Sequence, residues 1–183
     1  EALSDLTGKV EAEIRHLESI AASLDIALQE SDLVQIREEL IESGYIRRKS
    51  GSKKVKITSH PLHYLSSDGY DIYVGKNNYQ NDELTFHFAD GSDWWFHAKG
   101  MPGSHVILKT GKDGEMPDRA FEEAGRLAAY YSKARGMQKA EIDYTLKKNV
   151  KKPGGGAPGF VVYYTNYSLV IDSDISDLRL VSG

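Results

Sequence analysis

The chain has 183 residues, of which 40% are hydrophobic and 27% are charged, with a formal net charge of −4 and no cysteine. This composition is that of a folded domain, and it excludes a disulfide-stapled module, a thiolate metal site and a cysteine nucleophile. No run of 18 apolar residues occurs and no secretory leader pattern opens the chain, so we expect neither membrane insertion nor classical secretion. We therefore expect a soluble, cytoplasmic protein. Because a helical pattern is already under way at Glu1, we also expect the chain to be a piece of a longer protein.

The first helical segment has the heptad pattern of a coiled coil. Apolar side chains recur at alternating steps of three and four residues, interrupted only by Glu13, at Leu3, Leu6, Val10, Leu17, Ile20 and Leu24. A second helix is predicted over residues 31–43, with Ser31 as its N-cap and Gly44 just beyond its end. This helix is too short to cover the first, so we expect the coiled-coil partner elsewhere in the parent protein. The alternatives are self-association of the arm and an ordinary amphipathic helix docked on the globular domain.

Charge divides the chain near Gly44. Residues 1–44 carry eleven acidic and three basic side chains, a net charge of −8, and the rest of the chain has a net charge of +4. Six basic residues and no acid lie in 45–67, and seven basic against two acidic residues lie in 133–152. Two such clusters favour a polyanionic partner, although either one alone could be a solvated surface. The predicted units are a coiled-coil arm with a short helix at 1–44, a basic linker with a first strand at 45–68, and an α+β domain at 69–183.

Beyond Tyr45, glycine and proline separate short β-rich runs, so a period of two replaces the helical period. Strands are predicted near residues 55–58, 70–74, 94–99, 105–109, 142–148, 160–164, 168–171 and 178–181. Two helices interrupt them, a short one capped by Asn81 and a longer one capped by Asp118 after Pro117 and closed by Gly136. The predicted fold class is α+β, with a mainly antiparallel sheet covered by one long helix and preceded by an N-terminal coiled-coil helix.

One predicted hairpin carries aromatic and basic side chains on the same face. Alternation puts Trp95, His97 and Lys99 on one side of its first strand, and a turn at 100–103 would bring His105 to the same side. Aromatic rings placed among cations are typical of surfaces that bind single-stranded RNA or unstacked bases. The alternative is that Trp95 belongs to the core and is covered by the long helix.

The histidines of this hairpin also allow a metal-binding or catalytic interpretation. His97 and His105 are eight residues apart across a turn, and His87 could be a third ligand. No Asp or Glu has a convincing ligand spacing, so we expect no metal and no cofactor. Ser104 and His105 do not form part of a triad, because neighbouring strand residues point to opposite faces. We therefore expect no catalytic residues and no enzymatic activity.

Two loops have the composition of phosphate-binding sites. Lys76, Asn77 and Asn78 lie between a predicted strand and the predicted short helix, where free backbone N–H groups would converge. Residues 147–156 join a flexible glycine turn to four lysines, Lys147, Lys148, Lys151 and Lys152. Neither loop has the Gly-Lys-Ser/Thr sequence of a Walker loop, so we do not expect nucleotide hydrolysis.

Eight ordered motifs stand out between about Ser59 and Ile171. They are SSDG at 66–69, YVGKNN at 73–78, QND at 80–82, DWWFH at 93–97, PGSHV at 102–106, AAYYSKAR at 128–135, DYT at 143–145 and VKKP at 150–153. Together they resemble the NFACT-R domain, the C-terminal RNA-binding module of the NFACT proteins. Residues 1–44 resemble, more loosely, the end of the coiled-coil middle region of that family.

The resemblance implies a ribosome quality-control role on the large ribosomal subunit, where NFACT proteins hold tRNA and promote untemplated tailing of stalled nascent chains. The family's N-terminal domain has no counterpart here, so we do not expect this chain to promote tailing alone. The expected partners are ribosomal large-subunit RNA and tRNA. The residues predicted to bind RNA are Lys76, Asn77, Asn78, Trp95, His97, Lys99, His105, Lys147, Lys148, Lys151 and Lys152.

A second function follows from the same resemblance. Similar proteins of Gram-positive bacteria are described as surface adhesins that bind fibronectin without a signal peptide. In that alternative the heptad arm or an exposed strand edge would engage fibronectin or another protein chain at the cell surface.

Overall fold

The structure, a computed structural model, describes residues 2–111 and 116–183. Its helices are α1 (Ala2–Ile26), α2 (Glu30–Glu42), α3 (Asn78–Glu83) and α4 (Asp118–Tyr130). Its strands are β1 (Leu62–Leu65), β2 (Asp71–Val74), β3 (Trp94–Ala98), β4 (Val106–Leu108), β5 (Ala140–Leu146), β6 (Tyr167–Ile171) and β7 (Arg179–Ser182). A π-helical turn at Leu84–Phe88 continues α3, and a 3₁₀ turn at Lys147–Asn149 follows β5. No helix within these ranges is long and apolar enough to cross a membrane.

The strands form one antiparallel sheet in the order β6-β5-β3-β4-β2-β1-β7. In the central hairpin Trp95 lies opposite Ile107 and Phe96 lies opposite Val106. Since successive side chains of a strand point to opposite faces, Trp95 and Ile107 share one face and Phe96 and Val106 share the other. The predicted α+β class, the antiparallel sheet and this division of the hairpin are confirmed.

The two faces of the sheet have different covers. On the first face, Phe96 and Val106 pack in the larger core with Ala124 and Ala128 of α4, whose small side chains allow the helix to approach the sheet closely. On the second face, Trp95 packs in a smaller core that also contains Ile107, Leu84, Ala89 and Val150. The expectation of one long covering helix is therefore incomplete, because α4 covers a single face. The π-helical turn and the loop after β5 cover the other.

Several helix boundaries differ from the predicted ones. The second helix has Gln29 and not Ser31 as its N-cap, and the long helix has Pro117 and not Asp118 at that position. The short helix begins at Asn78 because Asn77 is its N-cap, accepting a hydrogen bond from the backbone N–H of Gln80 at 3.0 Å. The long helix ends at Tyr130, and Gly136, with φ of +85°, belongs to the turn that follows it. The first predicted cap, Asn81, instead lies inside α3.

Two predicted strands do not join the sheet. Within the described ranges, residues 55–58 have no strand partner, and of residues 160–164 only Val162 forms a β-bridge, to Lys151. The sequence did not indicate β1, a four-residue strand that pairs with β2 and β7. Four residues are too few for alternation to distinguish a strand from a loop.

The heptad face of α1 lies largely at the surface. The part of α1 that is buried against the rest of the chain consists of His16, Ile20, Ala22, Ser23 and Ile26. The remaining heptad positions are between 44% and 77% exposed, namely Leu3, Leu6, Val10, Leu17 and Leu24. The predicted helix is confirmed, and coiled-coil pairing through this stripe stays a prediction.

Candidate nucleic-acid interface

The segment from Gly75 to Asn78, predicted to bind phosphate, is the place where the sheet domain holds the helical arm α1–α2. Lys76 is 2% exposed, and its Nζ lies 2.7 Å from Oδ1 of Asp32 on α2. Burial would raise the pKa of Asp32, but Lys76 and the Ser59 hydroxyl stabilise the carboxylate and the pKa is lowered. A buried ammonium paired in this way cannot reach a phosphate without leaving a buried charge behind. The prediction that Lys76 contacts RNA is therefore wrong for this arrangement.

The neighbouring asparagines are also used inside the protein. The Nδ2 group of Asn77 donates to Oε1 of Gln35 at 2.8 Å, and that of Asn78 donates to Oε1 of Glu39 at 2.8 Å. Burial raises the pKa of Glu39, although Asn78 and His16 both oppose the shift. Asn77 and Asn78 are 1% and 4% exposed, so the structure contradicts their prediction as direct RNA contacts.

A pocket of about 350 Å³ opens beside this contact, between α1 and the second face of the sheet. Four sequence-predicted residues, Asn78, Trp95, His97 and His105, line it together. The rest of the wall is formed by Arg15, Glu18 and Ser19 of α1, by Asn81 of α3, by residues 100–103, and by Gly159, Phe160, Val161 and Tyr163. Chain segments that are far apart in the sequence thus meet at this site.

Both histidines of the pocket are neutral near physiological pH. The ring of His97 stacks on that of Trp95 with centroids 5.6 Å apart, and part of it faces the pocket. Burial lowers the pKa of His97 to about 4. Burial and the neighbouring His97 also lower the pKa of His105, whose Nδ1 lies 2.8 Å from Oγ1 of Thr85. The two imidazoles therefore offer hydrogen-bonding edges and no positive charge.

Trp95 forms the buried floor of this region. It is fully buried, and Tyr163 packs against it with ring centroids 5.0 Å apart. The hydroxyl of Tyr163 donates to Oδ2 of Asp143 at 2.8 Å, and burial raises the pKa of that tyrosine. The prediction of Trp95 as an exposed stacking surface is wrong, and its core alternative is supported. The cover, however, is the π-helical turn with the loop after β5, not the long helix.

The lysines after β5 form an accessible basic surface. Lys148 and Lys151 are exposed and Lys147 is half-buried. Among the described residues, none of the three is paired with a carboxylate. We call these three residues the lysine surface. They are available to phosphate groups, and their contact with RNA stays a prediction.

Two further predicted lysines are already paired. Lys152 forms an ion pair with Asp82, and Nζ of Lys99 lies 3.0 Å from Oε2 of Glu141. Both lysines remain at the surface, so they stay reachable for a phosphate. Their charges are partly compensated, and we expect them to contribute less than the lysine surface.

The basic linker is compensated in the same manner. Arg48 forms a two-bond contact with Glu38 of α2, and Lys54 lies 2.7 Å from Glu42. Two of the six basic residues of the linker are thus paired with carboxylates of the acidic arm. The cluster at 45–67 is a weaker indication of a polyanionic partner than its charge suggested.

The sequence did not reveal Arg15, Asn81, Phe160 or Tyr163 as members of the pocket. The sequence feature that could have indicated this part of the pocket is Gly159. Gly159, with φ of +81°, adopts a backbone conformation that favours glycine, and its position against Asn78 leaves no room for a side chain. No group of three or more His, Asp or Glu among the described residues is placed to hold a metal ion.

A family model described as the NFACT protein RNA binding domain matches residues 60–163. The chain belongs to this family. The match includes the sheet side of the pocket and the lysine surface, and it leaves out α1 and α2. The predicted family resemblance is confirmed.

Relatives of the NFACT RNA-binding domain give the same result over a longer stretch. The chain is 42% identical over 173 residues to the Rqc2 homolog RqcH of Streptococcus pneumoniae serotype 2, covering 94% of the chain and 31% of that protein. It is 39% identical over 165 residues to the Rqc2 homolog RqcH of Bacillus subtilis, covering 88% and 28%. The chain therefore spans about 30% of the length of these relatives.

A solved structure has the same fold. It is the C-terminal part of the fibronectin/fibrinogen-binding protein from Streptococcus suis, which is 40% identical with a TM-score of 0.88. The similarity covers 96% of this chain and 69% of that one. It therefore extends over the helical arm as well as the NFACT RNA-binding domain.

Proposed function

We propose that this chain is the RNA-binding part of a cytoplasmic ribosome quality-control protein, and that it binds RNA of the large ribosomal subunit together with tRNA. The observation that carries the proposal is the family match, which contains the lysine surface. Relatives named as Rqc2 homologs support the ribosomal setting. The chain spans only about 30% of those relatives, so rescue of stalled nascent chains belongs to the longer protein.

The lysine surface binds phosphate groups and carries no base specificity of its own. Lys148 and Lys151 project into solvent without carboxylate partners among the described residues, so they are free to replace counterions along an RNA backbone. Each phosphate that is neutralised contributes a slope of roughly −0.7 to −0.9 to the dependence of log K on log salt concentration. Binding is therefore expected to weaken steeply as salt rises.

We also propose that the chain contributes binding and not catalysis. His105 is enclosed and engaged by Thr85, and the nearest hydroxyl in sequence, Ser104, lies on the opposite face of the sheet. The titratable groups of the pocket are thus placed to line a cavity. The hydroxyl beside His105, that of Thr85, is fully buried and so cannot be reached by a substrate in the described structure.

The proposal is tested by measuring binding of the chain to large ribosomal subunits across a salt series. The triple lysine variant, with Lys147→Ala, Lys148→Ala and Lys151→Ala, should reduce the magnitude of the salt slope by about 2 to 3 and weaken binding at all salt concentrations. The matched control changes three exposed cations elsewhere, Lys9→Ala, Arg37→Ala and Arg179→Ala, and removes the same net charge.

Equal losses in the two variants would show that binding follows net charge, and a flat salt dependence would contradict the phosphate-contact mechanism. Fibronectin is measured in parallel, because the Streptococcus suis relative carries that function in its name. Salt-tolerant fibronectin binding without ribosome binding would favour the adhesin alternative.

A further inference from the structure

We propose that the pocket between α1 and the sheet receives one unstacked nucleobase of the bound RNA. This inference rests on the proposed RNA-binding function and adds a second type of contact to the lysine surface. At about 350 Å³, the pocket is near the lower end of the range for small-molecule sites, so it suits a single ring system. Phe160, Tyr163 and His97 supply aromatic rings in its wall, and rings of this kind stack on bases of any sequence.

Two residues of the pocket wall, Trp95 and Asn81, each have a side-chain N–H without an acceptor among the described residues. The indole Nε1 of Trp95 is buried and has no partner among the described residues. Oδ1 of Asn81 accepts from the backbone N–H of His105 at 3.0 Å, which leaves its Nδ2 without an acceptor in the described part of the chain. Asn81 is only 4% exposed. Buried donors are normally paired, and the edges of nucleobases carry ring nitrogens and carbonyl oxygens that accept such bonds.

The charge of the pocket argues against an anion as its occupant. His97, with a pKa lowered to about 4 by burial, is neutral, as is His105. Glu18 also lies in the wall, and its negative charge offsets the positive charge of Arg15. A phosphate would find little net positive charge there, whereas a neutral aromatic ring with polar edges meets both the rings and the unpaired donors.

The lysine surface and the pocket wall are carried by the same loop. The backbone of Lys151 exchanges two hydrogen bonds with that of Val162, at 2.9 and 2.8 Å. Val161 and Phe160, next along the chain, line the pocket. An RNA strand whose phosphates follow the lysines therefore passes beside the pocket, and one base can turn inward. An apolar peptide side chain would fill the space but leave the two donors unpaired.

The test compares two single strands of eight nucleotides, one of mixed sequence and one in which every base is replaced by hydrogen. Both present the same phosphates, so their difference in affinity reports the bases. Phe160→Ala should weaken binding of the mixed-sequence strand by at least about 5-fold and leave the abasic strand unchanged. Val162→Ala, which removes an apolar side chain of the same loop outside the pocket, is the matched control. The triple lysine variant should weaken both strands equally.

Histidine ring signals in ¹⁵N NMR provide a direct readout. The resonances of His97 and His105 should shift with the mixed-sequence strand and not with the abasic one. If both strands bind, depend on the lysine surface and are insensitive to Phe160→Ala, RNA binding stands and the pocket inference is overturned. If neither strand binds while large ribosomal subunits do, the pocket inference is overturned and the proposed function stands. If the subunits do not bind either, both fail.

Two further ligands identify a different occupant. An equimolar mixture of the four nucleoside 5′-monophosphates that shifts both histidines, and that the octamer cannot displace, would assign the pocket to free nucleotides. A short peptide containing tryptophan that shifts the histidines where RNA does not would assign it to a protein partner. Either result overturns the inference as stated.

Discussion

Replacing Lys76 with methionine tests whether this lysine holds the arm or contacts RNA. Methionine preserves the length of the side chain but removes the ammonium group that lies 2.7 Å from Asp32. Removing one partner of a buried ion pair typically costs about 3 to 5 kcal/mol, because the other charge stays buried and unpaired. Asp32 keeps a hydrogen bond from Ser59 at 2.6 Å and one from the backbone N–H of Leu28 at 2.9 Å. We therefore expect the lower end of the range, about 3 kcal/mol.

Thermal unfolding followed by circular dichroism measures this loss. For a chain of this size, about 3 kcal/mol corresponds to a fall in Tm of roughly 6 to 12 °C. Lys148→Met is the matched control, since Lys148 is exposed and the change should lie within about 0.5 kcal/mol of zero. Adding Asp32→Asn to Lys76→Met should recover more than about 1 kcal/mol, because no unpaired charge then remains buried.

The opposite pattern would refute the docking role of Lys76. That pattern is an unchanged Tm for Lys76→Met together with a large loss of RNA affinity at equal folded fraction. Lys76 would then be a phosphate contact, and the ion pair with Asp32 would contribute nothing to holding the arm.

Two further predictions concern the packing and the titration of the site. Gly75→Ala should destabilise the fold by roughly 1 to 3 kcal/mol, since a Cβ would overlap Oδ1 of Asn81; Gly8→Ala, in open space on α1, should be neutral or stabilising. The free energy of unfolding should fall as the pH drops from about 6.5 towards 4. In that range His97 becomes protonated in the unfolded chain but stays neutral in the folded chain. The loss from this residue is at most about 3 kcal/mol, and His97→Gln should flatten the profile of unfolding free energy against pH. If the pH profile of that variant is unchanged, groups other than His97 cause the loss of stability at acid pH.

The central hairpin could be predicted from the sequence because its determinants are local. Alternation in residues 94–98 and a short glycine turn fix which side chains share a face, and the structure has that arrangement. The pattern could not tell which face would be covered, or by what. Trp95 belongs to an alternating strand whether a solvent-exposed ligand or the loop after β5 lies above it.

Lys76 shows the main limit of reading charge from a sequence. A lysine followed by two asparagines near a helix N-terminus has the same composition whether its donors meet a phosphate or an internal carboxylate. The acceptor, Asp32, lies 44 residues earlier, on an arm whose docking cannot be deduced from local pattern. The net charge of −8 on residues 1–44 was the indication that such an acceptor was available within the chain.

The polar docking of the arm also determines the direction in which the exposed part of α1 extends. Residues 3–15 are exposed on every side, so this part of α1 extends about 20 Å beyond its last buried turn. Hydrogen bonds are directional, so the bond from Asn78 to Ser19 of α1, with those from Asn77 and Asn78 to α2, orients the arm more strictly than an apolar contact would. A tilt of about 10° at the base would carry the tip of such a lever by about 3 Å, close to the rise of two helical residues. A few buried amide groups therefore set the orientation of α1. A small rotation where the arm docks becomes a shift of about two residues of helical rise at the far end of its exposed part.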